Sequence, residues 1–222
     1  MTSAAITADV EARARLSLGR GHQAIHATVA GVLAARGASG TLADIGCGTG
    51  DLWRATNRQF ARCVGLDAVR YQALPDDVEF RAADFDRDPL PLADASVDAA
   101  AAVEVIEHLE NPRAFCRELT RITKPGGWVI VSTPNQVSAI SLLTLAIKGR
   151  FAAFQDVEYP AHRTALLPVD LERIARECGL REIALAYTHW GRVPLTPWHY
   201  PASIASLWPR GFSDNIVMIG RR

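Results

Sequence analysis

Short apolar runs of strand type alternate along the chain with helical patterns, and the runs close near acidic residues. Residues 41–45, 63–67, 78–83 and 97–103 are four such runs, and their alternation with helices predicts an open parallel sheet covered by helices. An N-terminal segment through Ala35 reads as helix, with a break at Gly19 to Gly21. Asn111-Pro112 has the residue types of an N-cap and first helical position, and Phe115, Leu119 and Ile122 repeat on one helical face as far as the turn Lys124-Pro125-Gly126-Gly127. Residues 128–132 form the fifth strand. A long connection then runs to Pro168, followed by a helix opened by Asp170 and closed by Gly179. Strands at residues 183–189 and 215–220 complete a set of seven.

The 222 residues suit one compact domain over the whole chain, made up of a helical segment at residues 1–39, a body, and inserts at 133–168 and 190–212 on the substrate side. Apolar residues make up 49% and charged residues 22%, which excludes a largely disordered chain. With 24 basic against 24 acidic side chains there is no net field to draw the whole protein to nucleic acid or an anionic membrane. The longest strongly apolar run, residues 137–147, falls well short of the roughly 20 residues that span a bilayer, so no transmembrane segment is expected. Asp9, Glu11, Arg13 and Arg15 interrupt any secretory signal. Cys47, Cys63, Cys116 and Cys178 lack metal-type spacing and suit reduced, buried thiols in a cytoplasm.

The loop Asp44-Ile45-Gly46-Cys47-Gly48-Thr49-Gly50 places glycines where a chain turns sharply out of a strand and approaches a ligand closely. A nicotinamide dinucleotide fingerprint needs its third glycine where this chain has Asp51. Asp44, two residues ahead of the first glycine, would repel a pyrophosphate and attract ammonium and sulfonium groups. Here the chain resembles the class I S-adenosylmethionine-dependent methyltransferases, whose first motif reads like Asp-Ile-Gly-Cys-Gly-Thr-Gly; Lys124 to Gly127 looks like their late motif. The likeness is close over residues 40 to 135. It implies a Rossmann-like fold with a seven-stranded, mostly parallel sheet whose last strand is antiparallel. It also implies a cofactor site of Asp44, Gly46, Cys47, Gly48, Gly50 and Ala68, with Asp67 at the ribose, Asp84 and Phe85 at the adenine, where Asp86 or Asp88 could serve in place of Asp84, and Glu104 lining the pocket.

Glu104, Glu107 and His108 stand at i, i+3 and i+4, so a helical turn after the fourth strand would put all three on one face looking into the cleft. Two carboxylates and an imidazole suit Mg²⁺, Mn²⁺, Fe²⁺ or Zn²⁺ without choosing among them. The cluster resembles the Glu-x-x-Glu-His motif of the small-RNA 3′-terminal 2′-O-methyltransferases and the ubiquinone-pathway O-methyltransferases. In those families a later His joins the site, for which His162 is the candidate here. Without a metal, His108 would be the base and Glu104 a pocket wall. A hydroxyl is a poor nucleophile until it loses its proton, so either arrangement favours an oxygen acceptor, with Glu107 and His108 as the catalytic pair.

The apolar stretch 140–147 can cap the cleft, pack on the body or touch a membrane surface, and the Trp- and Pro-rich insert at 190–212 can close a substrate site or form a homodimer face. The main expectation is a cytoplasmic enzyme methylating a small-molecule hydroxyl. RNA 2′-O-methylation, N-methylation and a non-catalytic cofactor-binding partner subunit are the competing readings. Arg113, Arg117 and Arg121 are a local patch or an ordinary solvated helix face.

Overall fold

A computed structural model describes residues 22–222. Of the helix expected up to Ala35, the part before residue 22 lies outside the described residues, and α1 runs Gln23–Ala35. After it come β1 (Thr41–Ile45), α2 (Asp51–Thr56), β2 (Arg62–Asp67), β3 (Val78–Ala82) and β4 (Val97–Val103). A 3-10 turn at Ile106–His108 leads to α3 (Pro112–Ile122), β5 (Thr123–Pro134) and α4 (Ala139–Lys148). A second 3-10 turn, Asp156–Glu158, precedes α5 (Pro168–Glu177), β6 (Arg181–Tyr187), α6 (Ala202–Ala205), α7 (Pro209–Phe212) and β7 (Asn215–Arg221). The seven strands form one sheet in the order β3-β2-β1-β4-β5-β7-β6. Only β7 runs against its neighbours, pairing antiparallel with β5 and β6.

Successive side chains of a strand point to opposite faces of the sheet, and this divides the apolar residues into two cores. Ala43, Ile45, Ala100, Ala102, Val129 and Val131 pack against Phe115 and Leu119 of α3 and Leu171 and Ile174 of α5. Leu42, Ala99, Ala101 and Ile130 point the other way, against Ile25, Val29 and Leu33 of α1 and Leu52 and Trp53 of α2. With both faces covered, the central strands are buried almost throughout, as parallel sheets require. The α3 start is as the residue types predict: Asn111 Oδ1 accepts from Ala114 N at 3.0 Å and Pro112 takes the first turn.

Several boundaries differ from expectation, three of them for a visible reason. The glycine turn at 124–127 is part of β5, because Thr123 already pairs with Val97 and Gly126 N donates to Arg222 O at 2.7 Å. Asp170 caps α5 from its first turn instead of opening it: its carboxylate accepts from Leu167 N at 3.1 Å. The sixth strand starts at Arg181 and ends at Tyr187, since Arg181 pairs with Arg221 at the far end of β7.

Two glycines test the packing. A Cβ on Gly65, in buried β2, would stand 2.9 Å from both Cys47 Sγ and Val78 Cγ1, whereas one on Gly31, inside α1, would meet nothing within 4 Å. Gly65→Ala is expected to lower unfolding stability by about 1–3 kcal/mol through overpacking, and Gly31→Ala to raise it by about 0.5–1 kcal/mol through helix propensity. Urea midpoints of the two variants check both signs.

Candidate functional site

The strand order reverses between β1 and β4, with β2 on one side and β5 on the other. Their outgoing connections diverge, so the carboxyl ends of β1 and β4 border an open crevice. The glycine loop after β1 takes positive φ at Gly46 (75°), Gly48 (48°) and Gly50 (82°). Leu66 O accepts from Gly46 N and Cys47 N at 2.7 and 3.0 Å, and Asp67 Oδ2 accepts from Gly48 N at 2.9 Å. The loop is thereby tied to the end of β2. A Cβ on Gly46 would lie 2.3 Å from Val105 Cγ2, so the same loop packs directly against the segment leaving β4.

The carboxylates expected around this loop all stand at strand ends. Asp44 is buried, its Oδ2 has no hydrogen-bond partner among the described residues, and burial pushes its carboxyl up to about 7, with Asp67 and Asp51 adding to the shift. Burial also raises Asp67, which the N–H groups of Gly48 and Val69 partly oppose. Although Asp67 Oδ2 already serves Gly48, a carboxylate oxygen has a second lone pair to offer. Asp84 Oδ1 accepts from Asp86 N at 3.1 Å; its buried Oδ2 makes no hydrogen bond among the described residues and lies 3.8 Å from Arg87 Nε. Phe85 sets its ring 5.9 Å from that of Phe115 and packs against the core. Ala68, beside Asp67, is half-buried. Cys47 is buried against Gly65, and burial raises its thiol well out of the reactive range.

Glu104 is where local spacing misleads. It does not share a helical face with Glu107 and His108, because the chain kinks at Glu104 to φ 57° before the 3-10 turn begins. Glu104 N donates to Ser132 Oγ at 3.0 Å, and its Oε1 accepts from Asn215 Nδ2 at 2.7 Å, a bond across to the start of β7. Both Ser132 and Asn215 escape sequence reasoning, since neither stands near Glu104 in the chain.

Glu107, His108 and His162 do come together, with one ligand-type atom of each within 4.8 Å of the others. The segment bearing His162 docks on the 3-10 turn: Glu107 O accepts from Arg163 N and Thr164 N at 2.8 and 3.0 Å, and Thr164 Oγ1 donates to Leu109 O at 2.7 Å. His108 Nδ1 sits 2.9 Å from Ala161 O and His162 Nδ1 2.5 Å from Ala153 O. A carbonyl only accepts, so each Nδ1 carries a hydrogen, and in the neutral ring the lone pair is then on Nε2. Glu107 is almost wholly buried, with Oε2 unpartnered among the described residues. Burial lifts Glu104 and Glu107 well above the usual carboxylate range and lowers His162, which favours neutral forms in the absence of a cation.

Beside Glu104 opens a cavity of about 340 Å³, lined among others by Gln136, Ser141, Glu158, His162, Trp190 and His199. Both inserts therefore contribute walls. Trp190 stacks on His199 with centroids 4.4 Å apart and on His22 at 5.2 Å. The start of α4 covers the cavity with Ser141, while its Leu142 and Ile147 are exposed. No helix among the described residues is long and apolar enough to cross a membrane.

Comparison with known proteins bears on the fold and on the matched domain. Residues 43–131 match the methyltransferase domain family. The ubiquinone biosynthesis O-methyltransferase of Dictyostelium discoideum mitochondria is 31% identical over 149 residues, 58% of this chain and 46% of that protein. The enzyme of the same name from Chromobacterium violaceum is 29% identical over 150 residues, 62% of each. The chain thus spans about half to three-fifths of the length of these curated relatives. Among solved structures, an S-adenosylmethionine-dependent methyltransferase from Archaeoglobus fulgidus superposes with a TM-score of 0.64 at 16% identity, covering 89% of this chain and 94% of that one. The methyltransferase bound to the Trm112 activator of Haloferax volcanii gives 0.64 at 20% identity, covering 96% and 97%. Residues 43–131 thus match a methyltransferase domain, and the sheet around them has the fold of S-adenosylmethionine-dependent methyltransferases.

Proposed function

We propose that the protein transfers a methyl group from S-adenosylmethionine to a hydroxyl oxygen of a small molecule, assisted by a divalent cation. One observation carries the oxygen acceptor and the cation: Glu107, His108 and His162 converge, and both imidazoles hold Nδ1 on backbone carbonyls. Cation-binding histidines are oriented in this way, through the nitrogen that does not ligate. One carboxylate and two imidazoles fit Mn²⁺, Fe²⁺ or Zn²⁺ better than the oxygen-demanding Mg²⁺. Glu104, engaged with Asn215, lines the crevice and is not assigned to the ion. The names of the Dictyostelium and Chromobacterium relatives support an oxygen acceptor. The balance of 24 basic and 24 acidic residues speaks against RNA.

When bound, the cofactor supplies a methyl group made electrophilic by its sulfonium, and the cation lowers the pKa of the acceptor hydroxyl. Holding and orienting are left to the chain. The Gly46–Gly50 backbone gives close approach, the unpartnered oxygen of Asp44 suits an ammonium, Asp67 can accept from ribose hydroxyls, and Asp84 Oδ2 can accept from an adenine amine. Cys47, Ala68 and Phe85 contribute shape. In-line positioning beside His108 and Glu107 then needs a closed site, for which the Trp190 and α4 walls serve. Four unbridged cysteines are in keeping with a cytoplasmic setting.

Labelled S-adenosylmethionine incubated with the protein and a metabolite extract is expected to yield an acceptor heavier by one methylene; no labelled product from any extract would refute the enzyme. In calorimetry, S-adenosylhomocysteine should bind and nicotinamide dinucleotides should not, and Asp67→Ala should weaken binding by about 1–3 kcal/mol. Chelation should stop turnover while leaving cofactor affinity nearly unchanged, and His162→Ala should lower Mn²⁺ affinity without lowering the unfolding midpoint. Turnover unaffected by excess chelator would instead make His108 the general base.

The ligand-free protein should also lose stability as pH rises. Asp44 keeps its proton in the fold up to about 7 but loses it near its ordinary value when unfolded. Its contribution is therefore full at low pH and gone once pH passes the folded value. Relative to Asp44→Asn, native stability should fall by up to roughly 1.4 kcal/mol per pH unit between about pH 5 and 7 and level off above. Urea titrations of both proteins across that window measure the difference.

A further inference from the structure

Four carboxylate oxygens among the described residues are buried without a hydrogen-bond partner: Asp44 Oδ2, Asp84 Oδ2, Glu107 Oε2 and Glu158 Oε2. Orphaned polar atoms of this kind are rare in native proteins, and each asks for a partner outside the described residues. The cofactor and the cation proposed above account for the first three. Glu158 is left over. It belongs to the second 3-10 turn and lines the cavity beside Glu104.

The turn fixes Glu158 in place: its N–H donates to Gln155 O at 3.0 Å and its carbonyl accepts from His162 N at 2.9 Å. The nearby guanidinium groups are already engaged. Arg150 pairs with Asp156 on the same turn. Arg192, which also lines the cavity, donates to Asp214 Oδ2 at 2.8 Å through Nε and to Oδ1 at 3.2 Å through its backbone N–H. Asp214 itself lines the cavity, and Glu104, the third acid there beside Asp214 and Glu158, holds the Asn215 amide. The cavity thus keeps two carboxylates that no guanidinium or ammonium of the described residues answers, next to an aromatic wall of Trp190 and His199. An acceptor bearing carboxylate or phosphate would find no free guanidinium there, the single arginine being already paired, and would meet the Glu158 carboxylate. A cationic nitrogen meets the opposite: a desolvated carboxylate for its charge and an aromatic surface for its carbon skeleton.

We propose that the methyl acceptor is a compact hydroxylated amine whose ammonium pairs with Glu158 inside this cavity. The inference rests on the methyltransferase reading and adds to it the class of acceptor.

The test uses 2-phenylethylammonium, which offers a ring to Trp190 and an ammonium to Glu158, and phenylacetate as its anionic match. Each is titrated by calorimetry and by ligand-observed NMR into protein saturated with S-adenosylhomocysteine. The ammonium should bind in the millimolar range or tighter, phenylacetate should not bind detectably, and Glu158→Gln should weaken the ammonium about tenfold or more. Glu158→Lys should reverse the preference, so that phenylacetate binds and the ammonium does not. Unchanged S-adenosylhomocysteine affinity in both variants shows that they are folded. Phenylacetate binding as well as the ammonium, ammonium binding unmoved by Glu158→Gln, or no ammonium binding at millimolar concentration would each overturn the proposal. If S-adenosylhomocysteine binds in those samples, only the acceptor class fails; if it gives no heat, the methyltransferase reading fails with it.

Discussion

Everything at the site depends on the reversal of strand order between β1 and β4. Connections that diverge from two neighbouring strands cannot cover the ends they leave, so the carboxyl edge of the sheet stays open at that one place. The chain fills the edge with backbone on one side, at Gly46–Gly50, and with the kink at Glu104 on the other. The two sides are in contact, since the space a Gly46 side chain would need is taken by Val105. A side chain at position 46 would therefore have to displace Val105 on the other side of the crevice.

The second consequence is electrostatic. Strands buried on both faces carry few polar groups, and the acids that end them are left at the boundary between the dry core and the crevice. Asp44 and Glu107 are nearly inaccessible to water yet lack full hydrogen bonding, a combination that favours the protonated acid over the carboxylate. Cationic ligands reverse that preference. The unpartnered oxygens at the β1 and β4 sides are in this sense suited to positive charge, which the proposed cofactor and cation would supply.

Much of this was legible in the chain because it is written in neighbouring residues. β1 and β4 begin and end where their apolar runs do, and Asn111-Pro112 opens α3, since a buried strand and a capped helix start are both local patterns. What depends on distant partners was not legible. The i, i+3, i+4 spacing of Glu104, Glu107 and His108 presumes a helix, and the kink that breaks it is held by Ser132 and by Asn215, 111 residues further on. Likewise the glycines at 126 and 127 signal a turn, yet backbone pairing with Arg222 carries β5 through them. His162 was within reach only as a family likeness, because the carbonyls that orient it and His108, Ala153 and Ala161, belong to residues with no chemistry of their own.

A crystal structure with S-adenosylhomocysteine decides whether the orphaned carboxylates of Asp44 and Asp84 are the cofactor's contacts. The ligand should lie over the Gly46–Gly50 loop, with its amino-acid ammonium near Asp44, its ribose on Asp67, its adenine amine on Asp84 Oδ2 and its sulfur facing Glu104 and His108. A ligand bound elsewhere, or one seated in the crevice with Asp44 and Asp84 still unpartnered, would contradict that assignment.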